Sequence, residues 1–340
     1  MRIIFLIILC LNIFCNVIAQ SDLSSFQALD LPTSARQAIL NQPISIYDND
    51  IEVGVLNPAM LNKKMHNQFS LNFVDYFSDI NFVSAAYSFP FRNFSSLIVS
   101  VKSFDYGEFI ETNYSSEILG SFNVNEQIIS IGLSKELSKK WAIGTSLKTL
   151  FSNFQNYKSI VVASDLGIVY KEEEKNLFFS LLARNIGQQI SSYASTKELL
   201  PLQCDFSMSK RLDHLPFLIV INYKDIQKWD LTPISQFSLS GSNLSDNNSN
   251  NQINFTNKLF RHIDFGGELN IGKRICLRIG YNPKRRQELK VNSYLGMVGF
   301  SWGLGIKISH FTINYGRSSY HLHGSPNYFS FSTSFSKFYK

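Results

Sequence analysis

Charged residues are scarce in this sequence: only 17% of its 340 positions are Asp, Glu, Lys or Arg. The net charge of +6 is spread along the chain, so nothing points to nucleic acid as a partner. Cysteine is rarer still. Of four, Cys10 and Cys15 fall in the first twenty positions. Cys204 and Cys276 sit on opposite faces of their predicted strands, which argues against a disulfide. Beyond residue 20 no apolar run approaches a spanning helix, and the mean hydropathy is −0.04. G-x-S-x-G, H-E-x-x-H and phosphate-loop motifs are absent, and six histidines assemble no catalytic group, so no enzyme, cofactor or metal centre is expected. What the chain has instead is aromatic residues, with 29 Phe and 15 Tyr. Low charge with many aromatics suits strands that alternate apolar and polar residues.

The first segment, "MRIIFLIILCLNIFCNVIAQ", carries Arg2, an apolar run from Ile3 to Phe14, and Val17-Ile18-Ala19 before Gln20. Residues 1–19 are therefore expected to be a cleaved signal peptide, too short and wrongly flanked for a membrane helix. A lipoprotein reading through Cys15 is disfavoured by the bulky Phe14 before it.

The far end, "NYFSFSTSFSKFYK", places Phe329, Phe331, Thr333 and Phe335 on one face and Ser330, Ser332 and Ser334 on the other. About fourteen segments between residues 69 and 335 alternate in this way. Among them are 95–104, 126–135, 141–151, 160–170, 259–271 and 296–308. Several have the roughly nine to eleven residues a tilted strand needs to cross a bilayer. Within them Lys102, Lys148, Asp165, Arg184, Asp205, Lys224, Glu268, Arg278 and Lys307 all lie opposite the apolar face. A soluble sandwich sorts charges in this manner too. The connections discriminate. Even-numbered ones are short, while most odd-numbered ones are long, such as 105–125, 185–201, 225–258 and 283–295. Short turns at one rim and long loops at the other describe an outer-membrane barrel with periplasmic turns and extracellular loops. The expectation is an all-β transmembrane antiparallel barrel over 67–340, its charged interior unsuited to an apolar ligand. Phenylalanines on the last strand then face lipid.

Residues 20–66 lack the alternation. Pro32, Thr33 and Ser34 precede one helical run, and Asn57-Pro58-Ala59 precedes another. This segment is expected to be a hatch folded into the lumen, the alternative being a small periplasmic cap.

Three features invite a chemical reading. His321 and His323 share a face of an extended segment, as a metal pair would, but no third ligand is near and a loop histidine is the simpler reading. Lys284, Arg285 and Arg286 follow Asn282-Pro283 in a predicted outer loop. They suit lipopolysaccharide phosphates or an acidic partner, or are a solvated basic turn. Trp229 in "QKWDL" suits an interfacial aromatic belt better than a partner hot spot. The Asn/Ser-rich stretch around 240–252 reads as a solvated loop and not a binding grip.

"YDNDIEVGVLNPAML" is similar to the "NPA" region that opens the FadL-like outer-membrane barrels, which have fourteen strands and an N-terminal hatch. Within that superfamily, strings such as "LDLPTSARQAIL", "IGYNPKRRQELK", "GMVGFSWGLGIKI" and "YGRSSYHLHGSPNYFSFSTSF" resemble the PorV/PorQ branch, and its PorQ type in particular. The resemblance runs from Leu29 to Phe335. It implies a non-catalytic component of the type IX secretion system of Bacteroidota. Such a barrel holds a PorZ-type surface subunit at the membrane while cargo is attached to lipopolysaccharide. The implied partners are outer-membrane lipid and attachment-complex proteins of PorZ type, with PorU- and PorV-type proteins and lipopolysaccharide as further candidates. A FadL-like transporter of hydrophobic small molecules is the alternative, since one fold supports either task.

Overall fold

The structure is a computed structural model describing residues 25–41, 43–44, 50–78, 80–193, 196–232, 255–289, 296–320 and 324–335. The expected signal peptide, the 240–252 stretch and the His321/His323 pair lie outside the described residues. Alternation along the chain resolves into fourteen strands. They are β1 Gln68–Asp75, β2 Asn81–Phe89, β3 Ser96–Thr112, β4 Ile118–Glu136, β5 Trp141–Phe154, β6 Tyr157–Glu172 and β7 Leu177–Ser191. The second half is β8 Gln203–Arg211, β9 Phe217–Tyr223, β10 Ile263–Ile271, β11 Ile275–Tyr281, β12 Phe300–Ile308, β13 Phe311–Ser318 and β14 Asn327–Ser334. Each pairs antiparallel with its sequence neighbours, and β1 pairs with β14, Phe73 opposite Phe329, to close the barrel. Within the closed ring each strand has a hydrogen-bonded neighbour on both sides, as a bilayer that offers no hydrogen bonds demands.

The two faces sort as expected. Leu71, Phe73, Leu147, Ile279 and Phe329 are exposed on the outer wall, whereas Asp165, Arg184, Asp205, Glu268 and Arg278 are buried in the lumen. A Lys or Arg on the outer belt at mid-bilayer would cost about 2–4 kcal/mol. Cys204 lies on the outer face and Cys276 on the inner, and both are free.

Some boundaries differ from the expectation. Most of 105–125 is strand and not loop, because β3 continues to Thr112 and β4 begins at Ile118. A bulge between Asp105 and Glu108, with Gly107 at φ 82°, shifts the register there and hides the period-2 pattern. The start of the predicted 259–271 strand is helix α3, defined below, and β12 begins at Phe300, later than predicted. Strands β3 to β7 have 14 to 19 residues, against 7 to 9 for β8 to β14. Their excess lies at the long-loop end. The β3–β4 ribbon therefore stands out by some six residues, about 20 Å, beyond what a bilayer covers.

Four short α-helices and four 3₁₀ turns complete the described fold; the α-helices are α1 Ala35–Leu40, α2 Ile51–Leu56, α3 Phe255–His262 and α4 Pro283–Leu289. Helices α1 and α2 belong to the N-terminal segment, which runs down the inside of the barrel. At the long-loop end the Ser25 amide donates to Glu198 at 3.2 Å and Phe26 stacks on Tyr193. At the short-turn end the His66 ring lies 2.7 Å from the Ser95 carbonyl. The periplasmic-cap alternative does not describe this placement.

Candidate functional site

The lumen and its hatch form the best-defined polar assembly in the structure. Helix α1 starts where Ser34 caps it, its hydroxyl accepting from the Gln37 amide at 3.3 Å, and stops at Asn41 in the left-handed region. Asn57 performs two tasks at once. Its amide closes α2 onto the Val53 carbonyl, and its Oδ1 accepts from Ala59 to open a 3₁₀ turn, Pro58–Met60. Its Nδ2 donates to the Pro43 carbonyl at 2.9 Å and to Ser180 Oγ at 2.8 Å, so a fully buried carboxamide is satisfied and tied to β7.

Two opposite stretches of wall receive the hatch on glycine. On β5 and β6, Gly144 and Gly167 are register partners, and the Asn57-Pro58-Ala59 turn lies directly against them. A Cβ at Gly144 would overlap the Pro58–Ala59 peptide. On β12 and β13, Gly303 and Gly316 are register partners under Ile39, and on β11 a Cβ at Gly280 would overlap the Ile39 carbonyl oxygen. In a ring of fourteen, β12 lies seven strands from β5 and β13 seven from β6. The hatch is thus gripped across the full diameter, with the Ala35 amide donating to Ser330 Oγ at 2.9 Å and Ser318 Oγ to the Ala38 carbonyl at 3.1 Å. The serines of the last strand face this plug.

Ion pairs add to the grip. Arg36 in α1 meets Asp50 at 2.6 Å and Glu268 on β10 at 3.3 Å, while Arg278 on β11 reaches the same Glu268 at 2.7 Å and Asn314 at 2.8 Å. On the long-loop side of the plug, Arg184 bridges Asp30 and Asp205 at 3.6 and 3.4 Å, and Lys224 pairs with Asp264 at 2.6 Å. Lys148 pairs with Asp165 at 2.8 Å. Glu52 in α2 is nearly fully buried; burial pushes its carboxyl above the ordinary value, against a hydrogen bond donated by Asn72 at 3.0 Å. Cavities lie on either side of the plug. The outer one, about 330 Å³, is edged by Asp30, Lys102, Arg184 and Lys284, and the inner one, about 550 Å³, by Arg36, Glu268 and Arg278.

The expectation of a charged interior holds for one side only. Phe82, Phe104, Ile128, Leu150 and Val161, on β2 to β6, are lumen residues buried against Phe26, Ala28 and Leu29 of the hatch. Alternation assigns such positions to the inner face but does not reveal that hatch side chains will cover them.

The predicted surface residues separate. Lys284, Arg285 and Arg286 lie on α4, capped by Asn282 through the Arg285 amide at 2.7 Å, and not in an irregular loop. Successive helical residues fan out by about 100°. Arg285 accordingly stacks over Tyr320 at 3.8 Å, Arg286 donates inward to the Gly296 and Val298 carbonyls, and Lys284 edges the outer cavity. Trp229 packs on Phe255 and His262 of α3, with centroids 5.3 and 5.8 Å away, and stays half exposed. Beside it Lys258 donates to Asp230 at 2.6 Å and holds that carboxyl well below the usual carboxylate range. Asn57-Pro58-Ala59, expected to precede a helical run, instead follows helix α2 and opens only the 3₁₀ turn. The Arg36–Glu268 pair was not legible in the sequence, since 232 positions of chain separate its members.

No protein-family model matches the chain, and the comparison with curated proteins found no match. Among solved structures it is similar to a channel described as "TodX monoaromatic hydrocarbon channel deltaS2 mutant", at 13% identity and a TM-score of 0.52, covering 90% of this chain and 99% of that one. It is likewise similar to a FadL homologue of Pseudomonas aeruginosa, at 10% identity and a TM-score of 0.50, covering 90% and 99%. At such identities the likeness establishes the fold. The protein is a closed fourteen-stranded antiparallel barrel that holds its N-terminal segment inside, and its fold is similar to those of these two solved barrels.

Proposed function

We propose that this barrel is a non-catalytic scaffold of the type IX secretion system, which holds a PorZ-type subunit of the cargo-attachment complex at the cell surface. One observation carries the reading. The bore is occupied by a hatch clamped to both walls, while the β3–β4 ribbon presents apolar side chains beyond the bilayer. Phe109 stacks on Phe122 with centroids 5.6 Å apart, and Ile110, Ile118 and Leu119 are more than half exposed. Uncovered apolar surface of this kind marks interaction sites. The type IX role itself is what the likeness of the strings between Leu29 and Phe335 to the PorV/PorQ branch implies, and lipopolysaccharide contact through Lys284 and Arg285 is compatible with it. Changing Ile110 and Leu119 together to Asp is expected to release the surface subunit while the barrel still folds and inserts, read by co-purification and by heat-shifted gel mobility. Retention of the subunit at wild-type levels would sink the assignment of the ribbon.

A second reading is passage of hydrophobic small molecules across the outer membrane. The solved-structure neighbours lie closer to it than to the first, one being described as a hydrocarbon channel, and the apolar side of the lumen favours it. Gene deletion separates the two. Loss of cargo anchoring with normal uptake of hydrophobic compounds supports the scaffold. Loss of uptake with normal anchoring supports transport and removes the scaffold reading.

A further inference from the structure

The inner cavity, at the short-turn end of the barrel, falls within the size range of ligand sites, about 300–1,000 Å³. Its ceiling is the hatch and wall cluster of Arg36, Asp50, Glu268 and Arg278, in which both carboxylates are already matched by guanidinium groups. Its mouth is different. Lys273 and Arg274 on the β10–β11 turn, Lys307 on the lumen face of β12 and Arg211 on the lumen face of β8 edge it, with no carboxylate among them. Among the described residues Lys273, Arg274 and Lys307 make no ion pair; the Lys307 amide donates to the Arg274 carbonyl at 2.8 Å, which ties the β10–β11 turn to β12. The acidic turn residues Glu173 and Glu174 belong to the β6–β7 turn, outside this cavity.

We propose that this mouth docks an acidic, extended peptide segment presented from the periplasm. The cations are distributed from β8 to β12, an arc of about 19 Å at strand spacing, so a single phosphate or carboxylate cannot touch them all. A chain bearing several carboxylates along its length can. Lipid headgroups are a poorer match, because Arg211 and Lys307 project from lumen positions with the barrel wall between them and the bilayer. Complementary charge at a partly enclosed mouth favours both capture and correct register of such a segment. This surface is at the opposite end of the molecule from the extracellular ribbon, and the inference stands independently of either functional reading.

The test uses the full mature chain in nanodiscs of zwitterionic lipid and a fluorescein-labelled octapeptide of alternating Asp and Ser, followed by anisotropy. The expected result is saturable binding that weakens as salt rises, is lost with the Asn/Ser counterpart, and falls at least about tenfold when Lys273, Arg274 and Lys307 are changed together to Gln. Lys158→Gln, exposed at the other end where β6 begins, is expected to leave binding unchanged. The folded state of each variant is checked by heat-shifted gel mobility, and single Lys273→Gln and Lys307→Gln variants serve if the triple does not fold. Equal binding of the neutral peptide, or unchanged binding by the folded variants, overturns the proposal. So does equal competition by inorganic phosphate at matched ionic strength, which indicates a small-anion site, or loss of binding when phosphatidylglycerol is included, which indicates a lipid site.

Discussion

Arg36 of the hatch and Glu268 of the barrel wall approach to 3.3 Å with both side chains more than nine-tenths buried. The contact joins two segments with no local reason to meet, and it makes the plug part of the wall. Removing one partner of a buried pair costs about 3–5 kcal/mol, because the other is left desolvated. Glu268 retains Arg278, so Arg36→Ala is expected near the lower end, about 3 kcal/mol. Unfolding of detergent-solubilised protein, measured for Arg36→Ala, Glu268→Gln and the double variant, should give a coupling above about 0.5 kcal/mol. Additive effects would show that the pair does not hold the hatch.

Gly280→Ala tests the fit of plug to wall. The new methyl meets a backbone oxygen of Ile39, which cannot swing aside as a side-chain tip can, so overpacking of about 1–3 kcal/mol is expected. Limited proteolysis should then cut the N-terminal segment faster. Gly120→Ala, with nothing near its Cβ on the outer ribbon, is the control and should be silent.

Glu52 makes hatch stability depend on pH. Burial raises its folded-state pKa above the ordinary value of 4.5, so the folded protein binds the extra proton between those two values. Stability contributed by this group is therefore present in full below the unfolded value and lost as pH rises through the folded one. Glu52→Gln should remove that component of the slope, seen as the difference between the two proteolysis profiles from about pH 4.5 upward. Parallel profiles would show that Glu52 does not titrate differently on folding.

The direction of the N-terminal segment predicts surface access to Ser25, which is exposed beside Glu198 at the long-loop end. Ser25→Cys should react with a membrane-impermeant maleimide on intact cells, at a rate above that of a His66→Cys variant at the opposite mouth. Labelling of His66→Cys alone would invert the assigned orientation.

How much of this was legible without coordinates follows from the range of each interaction. The inside and outside of Ile143, Leu147 or Arg278 are set by a period of two and by what lipid tolerates, so alternation alone reads them. Beyond the bilayer that rule lapses, and the ribbon from Tyr106 to Val124, with its bulge at Gly107, passed for a loop. Helix α4 turned one basic triplet into three separate environments, which no charge count conveys.

The sequence by itself determined the barrel, its fourteen strands, the sorting of charge and the helix start at Ser34, because each rests on neighbours a few residues apart. Only the tertiary structure decided that Ile39 and Pro58 would rest on glycines of opposite walls, that Arg36 would find Glu268, and that Phe104 would be covered by Phe26. Those contacts exist once the ring has closed, and closure is a property of all fourteen strands together.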